Sequence, residues 1–263
     1  MVKTLKRFLV SSSLRGWNSK GKGMGAMVLL NPDETHHLKN VLRIREGSLC
    51  LLFDREGNEF VSRIEHFRSD ARSEARLLEP FTPRHRSFSL ELTVAQAIPQ
   101  DRKMDDIVQK SAELGILELI PLVTERTIAR ITSSKFEKVY SRWRRICEQT
   151  LKQSRIQKSP KIAAPASFDS LCSRLSKYEH VFLLHPTPDA QPIRECLSSA
   201  ELVQAKRSTS QILLMIGPEG GFSPNEIKHA EALGAKIVKM GSGILKTDTA
   251  FVAAVSFFNL MYE

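Results

Sequence analysis

The chain has 263 residues, is 41% apolar and carries 39 Lys and Arg against 29 Asp and Glu, a net charge of +10. That apolar share excludes a disordered chain, and the length suits two modest domains or one large one. No stretch is long and apolar enough to span a membrane, and the apolar core of the opening MVKTLKRFLV is too short for a signal peptide, so the sequence reads as cytoplasmic.

In chain order, RFLV and MVLL read as strands. PDETHHLKNVLRI follows as a helix, with Pro32 in its first turn and Leu38, Val41 and Leu42 on one face. His36 and His37 are adjacent, so on a helix they point in different directions and do not form a metal pair. LCLLFDREGNEFVSRIEHF reads as a hairpin turning at Glu56-Gly57-Asn58. This is a small β-rich domain, and the proline-containing, basic stretch EPFTPRHRS (79–87) reads as the linker that closes it.

The remainder changes character. SLELTVAQAI (89–98) is a strand, and DRKMDDIVQKSAELG (101–115) a helix begun by Asp101 and stopped by Gly115. LELIPLV is a strand, and residues 133–154 form a long helix with a basic face. HVFLLHP, QILLMIGPE and KIVKMG are three more apolar strands between helical segments. Such alternation predicts a parallel sheet covered on both faces.

The charge is unevenly spread. Residues 1–25 hold six Lys or Arg and no acid, and residues 128–162 hold ten against Glu137 and Glu148. Two stretches this poor in acids point to a polyanion, most simply a nucleic acid, rather than to a surface kept basic for solubility. The four cysteines (Cys50, Cys147, Cys172, Cys196) form no CxxC pair and have no histidine cluster near them. They read as buried thiols of a reducing compartment, and no metal is expected.

Two glycine turns carry the chemistry. The first, Gly217-Pro218-Glu219-Gly220-Gly221, ends a strand and meets Ser223-Pro224-Asn225-Glu226, a capping box with proline at the first helical position. The spacing fails the G-x-G-x-x-G dinucleotide pattern, and GSGILKT (241–247) fails the P-loop pattern at Leu245. A tight turn needs one glycine; three suggest a close approach to the backbone. The second turn, after KIVKMG, leads into the apolar AFVAAVSFFNLMY (250–262). Two such turns at the C-terminal ends of neighbouring strands line one crevice, where open α/β sheets bind ligands. With no metal ligand set and no Ser/His pair, the crevice suits a small, flat, partly apolar ligand.

IGPEGGFSPNE followed by MGSGILKTDTA resembles the two cofactor loops of SPOUT-superfamily RNA methyltransferases, and more narrowly the bacterial 16S ribosomal RNA uracil-N3-methyltransferase family (RsmE). The resemblance extends to Arg7-Phe8, HHLKNVLRIREG (36–47), residues 103–127 and residues 142–162. It implies an α/β fold: a PUA-like β-barrel RNA-binding domain over 1–84 and a SPOUT, trefoil-knotted methyltransferase domain over 85–263. It implies S-adenosylmethionine held by Leu184, Gly217, Gly220, Met240, Ser242, Ile244, Leu245 and Thr249, with Ile244 and Leu245 against the adenine face. The substrate implied is N3 of the uridine at 1498 in bacterial reference numbering, in 16S rRNA of the small ribosomal subunit. The family usually has arginine where Gly243 stands, and often where Lys246 stands. Arg155 and Lys246 are therefore the candidate catalytic cations, which would stabilise a uracil that has lost its N3 proton. Glu219 and Asp248 read as carboxylates of helix and turn rather than as bases. Arg7, Arg43, Arg142 and Arg145 are the expected RNA contacts. The apolar last helix, which must be covered all round, points to a homodimer, with burial wholly within its own domain as the alternative. A non-catalytic RNA-binding or ribosome-assembly protein would share the basic stretches but has no need of the glycine loops.

Overall fold

The computed structural model describes residues 5–14, 25–81, 90–101, 103–128, 133–154, 156, 158–196 and 210–262. Two compact units make up the chain, Met1–Arg86 with Glu148–Ser159 and Ser87–Cys147 with Pro160–Glu263. The expected boundary after residue 84 lies outside the described residues.

In the first unit, β1 (Arg7–Leu9), β2 (Met27–Leu30), β3 (Leu49–Phe53), β4 (Glu59–Phe67) and β5 (Ser73–Pro80) form one sheet in the order β1-β3-β4-β5-β2. Among the described residues of this sheet, only β1 and β3 pair in parallel. The sheet curls around Phe8, Leu30, Leu52, Phe60, Ile64 and Leu77. The β3–β4 turn is set by Asp54, whose carboxylate accepts from the backbone N–H of Glu56 and of Asn58, both at 2.9 Å, and from Asn58 Nδ2 at 2.7 Å.

Helix α1 (Pro32–His36) starts as expected, with Asn31 Oδ1 accepting the Glu34 N–H at 2.8 Å. It then widens into a π turn, His37–Val41, closed by the Leu42 N–H on the His37 carbonyl. The extra residue rotates the register. Leu38 is buried, while Val41, expected beside it, is 59% exposed.

Arg7 requires a correction. Expected at an RNA surface, its side chain is 10% exposed and pairs with Glu59, itself 3% exposed. The guanidinium also donates to the carbonyls of Leu151 (3.1 Å), Ser154 (2.6 Å) and Ile156 (3.3 Å) and lies over the Phe53 ring. Those carbonyls belong to the end of helix α3 (Ser133–Gln153) and the turn after it, where helical carbonyls lack partners and the macrodipole favours a cation. Burial pushes the Glu59 carboxyl up, against the pull of Arg7.

The second unit holds an all-parallel sheet. Its strands are β6 (Leu90–Ala97), β7 (Glu118–Val123), β8 (Lys161–Ile162), β9 (Ala166–Ser167), β10 (His180–Leu184), β11 (Gln191–Pro192), β12 (Ser210–Ile216) and β13 (Lys236–Lys239). The order is β11-β13-β10-β12-β6-β7-β8, with β9 also on β7. Strand residues alternate between two cores, which is why the strands read as unbroken apolar runs. Leu92, Val94, Ile212 and Leu214 face helices α2 (Lys103–Glu113), α3 and the last helix. Leu183, Leu213 and Met215 face Phe168 of helix α4 (Phe168–Cys172) and Phe222. All four cysteines are buried and none is disulfide-bonded, and burial pushes the Cys50 thiol up to about 12. Among the described residues no helix is long and apolar enough to cross a membrane.

Replacing Arg7 by Ala leaves Glu59 buried and unpaired and several carbonyls without a donor. It should lower stability by about 3–5 kcal/mol, the usual cost of breaking a buried pair, read as an earlier urea midpoint of the full chain. A variant as stable as the parent would return Arg7 to a surface role.

Candidate functional site

The C-terminal ends of β10, β12 and β13 open onto a cleft of about 320 Å³. Of the residues expected to line it, Leu184, Gly217, Gly220, Met240, Ile244 and Leu245 do. Ser242 faces a neighbouring depression of about 580 Å³ instead, and Thr249 is exposed in the first turn of the last helix. Ile244 is 86% exposed and Leu245 39%. Large apolar side chains left this bare in a cleft wall present a surface for an apolar ligand. The two glycine loops are tied together by Thr247, whose hydroxyl donates to the Gly217 carbonyl at 3.2 Å.

The glycines of the first turn are approached by this chain's own side chains. A Cβ on Gly217 would stand 3.2 Å from the Phe222 ring and 3.3 Å from the Gly221 backbone. One on Gly220 would touch the stem of Arg126. Gly221 has φ +68° and lies against the His185 ring, where a Cβ would come within 3.3 Å. A Cβ on Gly220 would thus sit in ordinary contact with Arg126, whereas one on Gly217 or Gly221 would be crowded.

Helix α5 (Pro224–Ala232) begins with the predicted capping box, Ser223 N–H donating to Glu226 Oε2 at 2.8 Å. The other oxygen of the same buried carboxylate accepts the Glu125 N–H at 2.9 Å, from the loop after β7. The next residue of that loop, Arg126, donates to the Gly220 carbonyl at 2.8 Å. Glu219 is held by Lys103 Nζ at 2.9 Å and by the Gln100 N–H. Burial pushes its carboxyl up, but these hydrogen bonds prevail and it lies below the usual carboxylate range. That makes it a poor proton acceptor and a good turn anchor.

The expected cations are placed as follows. Lys246 is exposed at the start of the last helix, and Arg155 lies outside the described residues. Arg43 is exposed with φ 52°, and Arg145 is exposed on α3. Arg142 is exposed but paired with Asp105 at 2.9 Å, the same carboxylate that takes the Trp143 indole N–H. His36 bonds Asn40 and the His37 ring packs against Phe8. Among the described residues no group of three or more His, Cys, Asp or Glu is placed to hold a metal.

Sequence reasoning missed His185, Arg126 and Lys103. The signal was present: His185 directly follows a strand of the parallel sheet and Arg126 lies three residues past another, where crevice residues of such sheets lie.

A model described as RNA methyltransferase domain matches residues 86–259, and one described as RNA methyltransferase PUA domain matches residues 30–68. These define the class. Ribosomal RNA small subunit methyltransferase E of Synechocystis is 32% identical, covering 90% of this chain and 74% of its own. The protein of that name from Bacillus subtilis is 26% identical, covering 88% and 89%. The Neisseria gonorrhoeae one, solved bound to S-adenosyl methionine, superposes with a TM-score of 0.81 at 26% identity over 98% of both chains. The chain belongs to the ribosomal RNA small subunit methyltransferase E family.

Glu226→Gln would set an amide N–H against one of the two backbone N–H groups that the carboxylate now receives. The expected cost is about 1–3 kcal/mol of stability, together with weaker cofactor binding as the two loops loosen. Thermal melting and calorimetry read both. An unchanged melt would show that the carboxylate is not a tie.

Proposed function

We propose that the chain transfers a methyl group from S-adenosylmethionine to N3 of one uridine of 16S rRNA in the small ribosomal subunit, the uridine at 1498 in bacterial reference numbering. The observation that carries this reading is the cleft itself: two glycine loops joined by Thr247, with bare apolar walls at Ile244 and Leu245. An RNA-binding module without catalysis has no use for it. The residues present fit the cofactor. Gly217, Gly220 and Met240 would offer main-chain groups to the adenine edge, Ile244 and Leu245 its face, with Leu184 at the rim. The SPOUT-type trefoil knot is the chain path proposed for bringing these loops together.

The cofactor supplies an electrophilic methyl on a sulfonium; the chain supplies position and field. Uracil N3 must lose its proton before it is a good nucleophile, and a nearby cation would stabilise the anion. Lys246 and Arg155 are the proposed cations. The target base must be splayed out of its stack, so other contacts have to hold the RNA. Arg43 on the first unit and Arg142 and Arg145 on the second are the proposed phosphate contacts, acting in the cytoplasm on assembled subunits.

Tritiated-methyl incorporation, measured side by side, should be strong on small subunits and weak on a short RNA of the same sequence. Equal turnover on both would remove the docking role of the cationic surfaces. Mass mapping of the methylated rRNA tests the nucleotide.

The last helix, α6 (Thr247–Tyr262), buries Phe251, Val255 and Phe258 in its own unit but leaves Leu260 71% and Val252 36% exposed. A second copy is the proposed cover, by two-fold pairing. Light scattering at micromolar concentration should give the mass of a dimer, and a monomer mass would refute it.

A further inference from the structure

His185 is the first residue beyond β10, and its position is fixed on two sides. Its N–H donates to the Val238 carbonyl at 2.9 Å, extending the β10–β13 ladder by one bond. Its ring edge lies against Gly221, the glycine whose missing Cβ leaves room for it. The residue lines the cleft. Nδ1 is buried with no hydrogen-bond partner among the described residues. Nε2 is not sealed off in this way.

A neutral imidazole carries one proton on its two nitrogens. A buried N–H without an acceptor is rarer in proteins than a buried acceptor without a donor. The tautomer with its proton on Nε2 is therefore the one that avoids a buried donor without an acceptor. Burial, with the positive charge of Arg126 added to it, pushes the pKa below the usual histidine value and keeps the ring neutral. Three other cations near the cleft already have partners, while Lys246 is exposed: Lys239 Nζ donates to the Pro188 carbonyl at 2.7 Å, Lys103 holds Glu219 and Arg126 holds Gly220. A neutral ring with its proton on the outward nitrogen is a fixed donor, a pattern used elsewhere to polarise a carbonyl.

We propose that His185 donates a hydrogen bond from Nε2 to a negatively charged oxygen of the ligand in the cleft. This rests on the methyl-transfer reading and deepens it. Two sources share that chemistry: the amino-acid carboxylate of the cofactor, and a carbonyl oxygen of the uracil as its N3 proton leaves.

The test uses the full chain. His185→Leu keeps apolar bulk and removes the donor, and His185→Met serves the same purpose should the leucine variant fail to melt cooperatively. His185→Gln returns an amide N–H near the place of Nε2. Affinity for S-adenosylmethionine is read by calorimetry, and single-turnover methylation of small subunits at saturating cofactor. The apolar variant should lose about 10- to 100-fold in one of the two, as expected for a hydrogen bond to a charged group, and glutamine should recover most of it. Loss of affinity with turnover kept assigns the carboxylate. Loss of turnover with affinity kept assigns the base oxygen. A folded apolar variant unchanged in both, or a glutamine variant as impaired as it, overturns the proposal. Should the parent bind the cofactor yet methylate no subunit, the substrate reading falls, and the affinity measurement alone decides for or against His185.

Discussion

One carboxylate holds the cleft in register. Glu226 receives backbone N–H groups from the turn at Ser223 and from the loop at Glu125, which are 98 residues apart in sequence. Both oxygens are committed, and the residue is 8% exposed. Hydrogen bonds to a charged, buried acceptor are among the stronger ones available to a protein. The junction sets the end of the glycine turn beside the loop that carries Arg126, whose guanidinium donates to the Gly220 carbonyl. A capping box is usually a local device for starting a helix; here it also fastens a second loop.

The fold was legible wherever burial dictates composition. Strands covered on both faces must be apolar throughout, and HVFLLHP, QILLMIGPE and KIVKMG fall where such runs place them. The capping box at Ser223 and the turn at Gly57 were legible because few residues can satisfy those backbones. Strand β5 escaped notice, since its inward residues include Ser73 and Ala75, too small and polar to stand out. The exposure of Val41 could not be read either, because a π turn leaves no mark in composition.

Of the site, the glycine loops were legible and the residues that pack them were not. Arg126 and His185 reach the turn from other strands, across sequence separations that local pattern does not report. Arg7 shows the same limit more sharply. As one cation in a basic segment it resembles its neighbours, and only partners distant in sequence, Phe53, Glu59 and the carbonyls of 151–156, give it an interior role.

The first unit is discontinuous, and this bears on how the chain is made. Its sheet lies within the first 86 residues, but Glu148–Ser159 belongs to it too, and Arg7, Glu59 and Phe53 wait on that segment. A ribosome adding about 5–20 residues per second delivers it only several seconds after the sheet has emerged. In the interval the Arg7–Glu59 pair has no helix end to cap, and the half-made unit must stay unaggregated while the next begins to form. The domain translated first is thus not complete until part of the second has been made, and a truncation placed at the linker would yield an unfinished domain.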